Sequence, residues 1–162
     1  AKIETPCYIR LAKKGEPICY TKGPNISIDK LQEVFSGKDI ALLLCGPLLK
    51  EGIAAAKQLS TAGISAAVYS APCIKPLDQE KVHQLAKDYP LLVTVEEHQV
   101  TGGLGGAVAE IVGELQKPCA RVYRMGLQDT YTDIVGTHDY LCEHYGLSSS
   151  KITEKVLEIF SK

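Results

Sequence analysis

The stretch Leu91–Leu115, LLVTVEEHQVTGGLGGAVAEIVGEL, decides how this chain is read. Its first five residues, Leu91 to Val95, are apolar or β-branched and too few for a helix, so they predict a strand. Glu96, Glu97 and His98 follow, then a polar turn with four glycines at 102, 103, 105 and 106. Leu104, Val108, Ile111, Val112 and Leu115 then recur at helical spacing, and Pro118 closes the element. The pattern is strand, glycine turn, helix.

A glycine turn opening a helix can hold a phosphate on the helix N-terminus, but the spacing here argues against it. The dinucleotide fingerprint needs glycines at positions one, three and six. Counting from Gly103, the third is Gly105 but the sixth is Val108. A phosphate-binding Walker loop would need Lys and Ser or Thr after its last glycine, where this chain has Ala107 and Val108. The favoured reading is that these glycines let a helix pack closely on a sheet and another backbone approach it.

On either side of this stretch the predicted elements alternate. Leu31 to Phe35 and Ile40 to Cys45 read as two strands joined by a tight turn at Ser36-Gly37, hence antiparallel to each other. A helix follows, with Leu49, Ile53, Ala56 and Leu59 on one face, and then a strand from Ile64 to Tyr69. Asp78 caps a helix carrying Val82, Leu85, Ala86 and Tyr89, with Leu77 and Val82 at the staple positions. Beyond the central stretch come a short strand, Ala120 to Tyr123, and a long connection from Met125 to Gly136. Thr137 caps a brief helix, and Ser149 or Ser150 caps a terminal helix with Ile152, Val156, Ile159 and Phe160 along its buried stripe. Strands alternating with helices predict an α/β fold, a three-layer α/β/α sandwich around a mostly parallel sheet.

Composition sets the broad class. At 162 residues the chain can bury roughly two-thirds of its unfolded surface. Its formal charge of −1 gives no global field for nucleic acid or an anionic membrane, and no apolar run nears the ~20 residues of a membrane span. The six cysteines (7, 19, 45, 73, 119 and 142) form no C-x-x-C. None is read as paired with a histidine at zinc-like spacing, and they are expected to be reduced, buried and cytoplasmic. No metal site is expected.

The motifs together resemble one family. TVEEHQVTGGLGGAVAE resembles the third, C-terminal domain of the transketolase group of thiamine-diphosphate enzymes. CIKPLD at 73–78 is similar to that group's (T/S)-I-K-P-L-D, with Cys73 at the first position. KDIALLLCGPLLKEGIAAAKQL and Gly146-Leu147 match in order as well, and the likeness runs from about residue 6 to the end. It implies a five-stranded sheet with the first strand antiparallel. It also implies a division into 1–15, the end of a preceding pyrimidine-binding domain; 16–38, linker and first strand; and 39–162, the C-terminal domain.

The resemblance also shapes the expected site. Cys7 to Leu11 reads as a strand without a partner in this chain, so the expectation is that the chain begins inside a larger protein. In relatives a basic group near here faces substrate phosphate, which makes Arg10 and Lys13 candidates; a solvated basic strand end is the competing reading. Glu96, Glu97 and His98 lie where a strand ends, the edge at which open α/β sheets bind ligands. With Gly102, Gly103 and Gly105 they are read as interface residues or helix-terminus contacts rather than an acid–base site. His83, His138 and His144 read as surface or capping histidines, and no catalytic residue is assigned.

The family's thiamine-activating glutamate and its G-D-G metal motif belong to other domains and are not found in this sequence. The expectation is a structural, dimer-supporting domain that binds no cofactor alone. The parent enzyme would use thiamine diphosphate and Mg²⁺ to transfer two-carbon ketol units between sugar phosphates. Its partners would be upstream domains and a second copy, with no nucleic acid or membrane. A deoxyxylulose-phosphate synthase, a 2-oxoacid dehydrogenase E1 component, a free-standing regulatory small-molecule-binding domain and an independent nucleotide-dependent enzyme remain as alternatives.

Overall fold

A computed structural model describes residues 6–12, 17–20, 27–116 and 119–160. Five strands make one sheet: β1 (Gln32–Phe35), β2 (Ile40–Leu44), β3 (Ala66–Ser70), β4 (Leu91–Gln99) and β5 (Arg121–Leu127). Five helices accompany it: α1 (Leu49–Thr61), α2 (Gln79–Asp88), α3 (Leu104–Gly113), α4 (His138–His144) and α5 (Ser149–Phe160). The strand order is β1-β3-β2-β4-β5, with β1 antiparallel to β3 and every other pairing parallel.

The period-two alternation of the central strands builds both halves of the core. Leu42, Leu44, Val93 and Val95 pack with Ala55, Ala56 and Leu59 of α1 and Ile152 and Val156 of α5. Ala41, Leu43, Tyr69 and Leu92 face the other way, against Val82 and Leu85 of α2 and Leu104, Val108 and Val112 of α3. The continuous apolar run Ile40–Leu44, wholly buried, is what a strand covered on both faces requires. This is the three-layer sandwich that the sequence predicts.

Four details differ from the sequence reading. The two strands either side of Ser36-Gly37 do not pair: β1 joins β3 instead, while β2 lies between β3 and β4. Asp78 accounts for much of this placement, because it accepts from Leu31 N at 3.1 Å while capping α2 through Lys81 N at 3.3 Å. Cys7 to Leu11 form no strand, and Tyr8, Ile9 and Leu11 are exposed. The last two strands are longer than their apolar runs, since β4 continues through Glu96–Gln99 and gives Met125 and Leu127 partners in Val95 and Gln99. The cap of α5 is Ser148, whose Oγ accepts from Lys151 N at 3.4 Å, one residue before the expected serines.

Candidate functional site at the end of β4

Alternation along β4 sends its two glutamates to opposite faces of the sheet. Glu96 shares a side with Leu92 and turns toward α3; Glu97 shares a side with Val93 and Val95. Glu96 is 2% exposed. Its Oε2 accepts from Leu104 N and its Oε1 from Gly105 N, both at 2.7 Å. The carboxylate therefore satisfies two of the orphan donors at the start of α3 and sits at the positive end of the helix dipole.

The glycines make this possible. Gly102 turns the chain with φ +82°, a conformation that favours glycine. A Cβ on Gly103 would stand 1.9 Å from Glu96 Oε2, and one on Gly105 would stand 2.7 Å from Thr94 Oγ1. Thr94 Oγ1 is buried and has no hydrogen-bond partner among the described residues. The turn is a close-packing device with its anion supplied from within. A diphosphate does not fit there, because Glu96 already occupies the amide cradle.

Glu97 is the centre of a second cluster. Arg10 donates to its Oε2 at 3.1 Å and to its carbonyl oxygen at 3.2 Å, while His138 Nε2 bonds its Oε1. The hydrogen bond to Glu97 lifts the pKa of His138 above the usual histidine value, with partial burial opposing it. Cys142 lies one helical turn beyond His138, with Sγ 3.6 Å from Nε2. Burial, reinforced by Glu97 and Glu51, pushes its thiol up to about 11. Burial followed by the charge of Glu96 does the same for Cys45, also to about 11. At neutral pH only about one in ten thousand of either thiol would be ionised, so neither is set up as a nucleophile.

The other predicted residues are dispersed. His98 is exposed and turns Nδ1 to the carbonyl of Gln99 at 2.9 Å. Lys13 lies outside the described residues. Two surface hollows, of about 250 Å³ between Met125 and α5 and about 290 Å³ along β5, are lined by neither Glu96 nor Glu97. Sequence reasoning passed over His138 and Cys142. Their signal was the H-x-x-x-C spacing on a helix, which puts both on one face.

The family model for the transketolase C-terminal domain matches residues 29–152. The chain belongs to that family. A putative transketolase C-terminal section from Methanocaldococcus jannaschii is 32% identical, covering all of this chain and 50% of that protein. A 6-deoxy-6-sulfo-D-fructose transketolase subunit from Clostridium is 33% identical over 95% of this chain and 47% of its own length. A 1-deoxy-D-xylulose-5-phosphate synthase from Dictyoglomus thermophilum is 34% identical over 83% of this chain and 21% of that protein. Among solved structures, a split-gene transketolase described as an inactive beta4 tetramer superposes with a TM-score of 0.81 at 31% identity, covering 91% of this chain and 47% of that one. Transketolase from Campylobacter jejuni shares the fold, with a TM-score of 0.60 at 17% identity. The chain thus spans about half the length of the two transketolase relatives. In the described residues no helix is long and apolar enough to cross a membrane.

Proposed function

We propose that this transketolase C-terminal domain serves assembly rather than chemistry, within an enzyme that transfers two-carbon ketol units between sugar phosphates. Thiamine diphosphate and Mg²⁺ would be held by other domains of that enzyme, which would work as a cytoplasmic homodimer. The observation that carries the reading is the burial of Glu96 in the glycine turn: the helix start weighed as a phosphate site holds the chain's own carboxylate. The one thiol–imidazole pair beside Glu97 among the described residues is Cys142 with His138, and burial raises that thiol to about 11, which disfavours a thiolate nucleophile.

The surface supports the assembly role. His98 and Gly102 are exposed beside the turn, and Tyr8, Ile9 and Leu11 expose apolar side chains on a segment fastened to Glu97 through Arg10. An apolar strip next to a charged edge suits a partly polar contact with an upstream domain or a second copy. Residues 1–15 would belong to that upstream domain, 16–38 would carry the linker and first strand, and 39–162 the C-terminal domain. Arg10 spends two of its five donors on Glu97 and is 59% exposed, so it would keep donors for a substrate phosphate, and Lys13 remains a candidate by its place in the sequence. The 1-deoxy-D-xylulose-5-phosphate synthase relatives support a second reading, in which the parent makes that product.

His98→Ala and Tyr8→Ser in the full-length enzyme test the proposal by sedimentation and steady-state kinetics on the same preparations. A weakened dimer or lower melting temperature, with turnover retained in the remaining dimer, is expected. An intact dimer with kcat down roughly a thousandfold would show that these residues act in the chemistry. Assaying ketol transfer and deoxyxylulose-phosphate formation side by side separates the two parent activities.

A further inference from the structure

At the end of β4 on the face away from α3, three side chains with metal-ligating atoms converge. Glu97, His138 and Cys142 each offer one such atom, and those atoms all lie within 4.8 Å of one another. We propose that they form a binding site for a borderline divalent ion of the Zn²⁺ type, with three protein ligands and a fourth position open to water.

Geometry is the first support. A tetrahedral ion with Zn–S of about 2.3 Å and Zn–N of about 2.0–2.1 Å holds its sulfur and nitrogen donors about 3.5 Å apart. Cys142 Sγ and His138 Nε2 are 3.6 Å apart. Their i, i+4 spacing on α4 fixes that separation, because both project from one helix face. Glu97 Oε1 is hydrogen-bonded to the same Nε2, so an ion enters by parting these two atoms. The His138 side chain, 42% exposed, has room to withdraw.

The surroundings are those of an oriented site. Arg10 holds the other carboxylate oxygen of Glu97 at 3.1 Å and its carbonyl oxygen at 3.2 Å, which fixes the glutamate. Asp139 Oδ1 stands 3.7 Å from the far ring nitrogen of His138 and is itself held by Lys50 at 2.9 Å. A carboxylate behind a ligating imidazole is a common outer partner in metal sites. Cys142 is buried among apolar residues of the core, so that wall is dry, and the exposed His138 side leaves the fourth position to solvent.

The donor set also selects the ion. One thiolate, one imidazole and one carboxylate suit zinc or cobalt, whereas Mg²⁺ and Ca²⁺ take oxygen ligands. Binding would release the Cys142 proton, His138 would supply a neutral Nε2, and Glu97 would exchange its hydrogen bond to the ring for a bond to the ion. The thiolate and carboxylate then balance the dication, and the ion ties α4 to the end of β4.

Cobalt(II) is the direct probe, since a thiolate bound to it gives a ligand-to-metal charge-transfer absorption. Chain stripped of metal with a chelator is titrated with Co²⁺, then with Zn²⁺, while a large excess of Mg²⁺ serves as the control. The expected result is one equivalent of cobalt with thiolate absorption, displaced by Zn²⁺ and not by Mg²⁺. Cys142→Ser should abolish that absorption. His138→Asn, at an exposed position, should weaken cobalt binding at least about tenfold while lowering the thermal melt of the metal-free chain by no more than the loss of one exposed ion pair with Glu97 would. Absence of a cobalt–thiolate band in the wild-type chain would overturn the proposal. So would a band of undiminished affinity in His138→Asn, which would place the metal on other cysteines.

Discussion

A side chain on Gly103 and the carboxylate of Glu96 cannot share the space they are given: a Cβ on the glycine would lie 1.9 Å from Glu96 Oε2. Glu96 in turn closes two amides of α3 at 2.7 Å. The glycine turn and the first glutamate of β4 are thus one device that docks a helix on a sheet.

Gly103→Ala should therefore destabilise the fold by about 2–4 kcal/mol, because the carboxylate must withdraw and leave buried donors unpaired. Gly106→Ala, where an added Cβ meets nothing within 4 Å, should be neutral or stabilising by up to ~1 kcal/mol. Urea unfolding of the two variants separates the close-approach effect from simple helix propensity. Equal losses would show that Gly103 is not tightly packed.

Removing the acceptor makes the complementary test. Glu96→Ala should cost about 3 kcal/mol through two buried amides left without partners. Glu96→Gln, which keeps one acceptor oxygen, should cost less. A Glu96→Ala melt within error of wild type would mean that water replaces the carboxylate freely and that the helix start is open to a ligand.

Gly105→Val probes the same contact from the next residue. The added side chain would meet Thr94 Oγ1 at 2.7 Å and Arg124 Cγ at 3.0 Å. Loss of more than the ~1 kcal/mol of a helix-interior effect is expected, because Thr94 lies in a central strand that cannot give way. An unchanged thermal melt would contradict it.

The main features of the fold could be read from the sequence because they depend on repeating patterns. Apolar and β-branched runs placed all five strands approximately, helical spacing placed α1, α2, α3 and α5, and Asp78 and Thr137 marked two caps that the structure confirms. Strand pairing was not legible, since nothing local to Ser36-Gly37 records that Asp78 draws Leu31 across to another edge. The extents of β4 and β5 were missed for a related reason: Glu96 and Glu97 interrupt the apolar run, yet each finds a partner on its own face. The cluster around Glu97 joins residues 10, 97, 138 and 142, and long-range meetings of that kind leave little trace in a linear pattern. Only the i, i+4 spacing of His138 and Cys142 is local, and the sequence reading passed over it.

The Cys45 thiol, pushed to about 11 by burial and by Glu96, gives a pH prediction. Its folded pKa lies above the ordinary thiol value, so it contributes no pH dependence to stability below about pH 9 and lowers stability as pH rises from there toward 11. In the folded chain, alkylation of Cys45 followed by mass spectrometry should be slow at pH 8 relative to the exposed Cys7, and should accelerate toward pH 11. Equal rates at pH 8 would show that the thiol is neither buried nor disfavoured as an anion.

Isothermal titration of the chain with thiamine diphosphate and Mg²⁺ bears most directly on a domain that assembles rather than catalyses. With Glu96 filling the α3 amides, no heat beyond dilution is expected at cofactor concentrations up to about a millimolar. A saturable isotherm with a Kd of roughly micromolar would contradict the proposal and would make this domain part of the cofactor site.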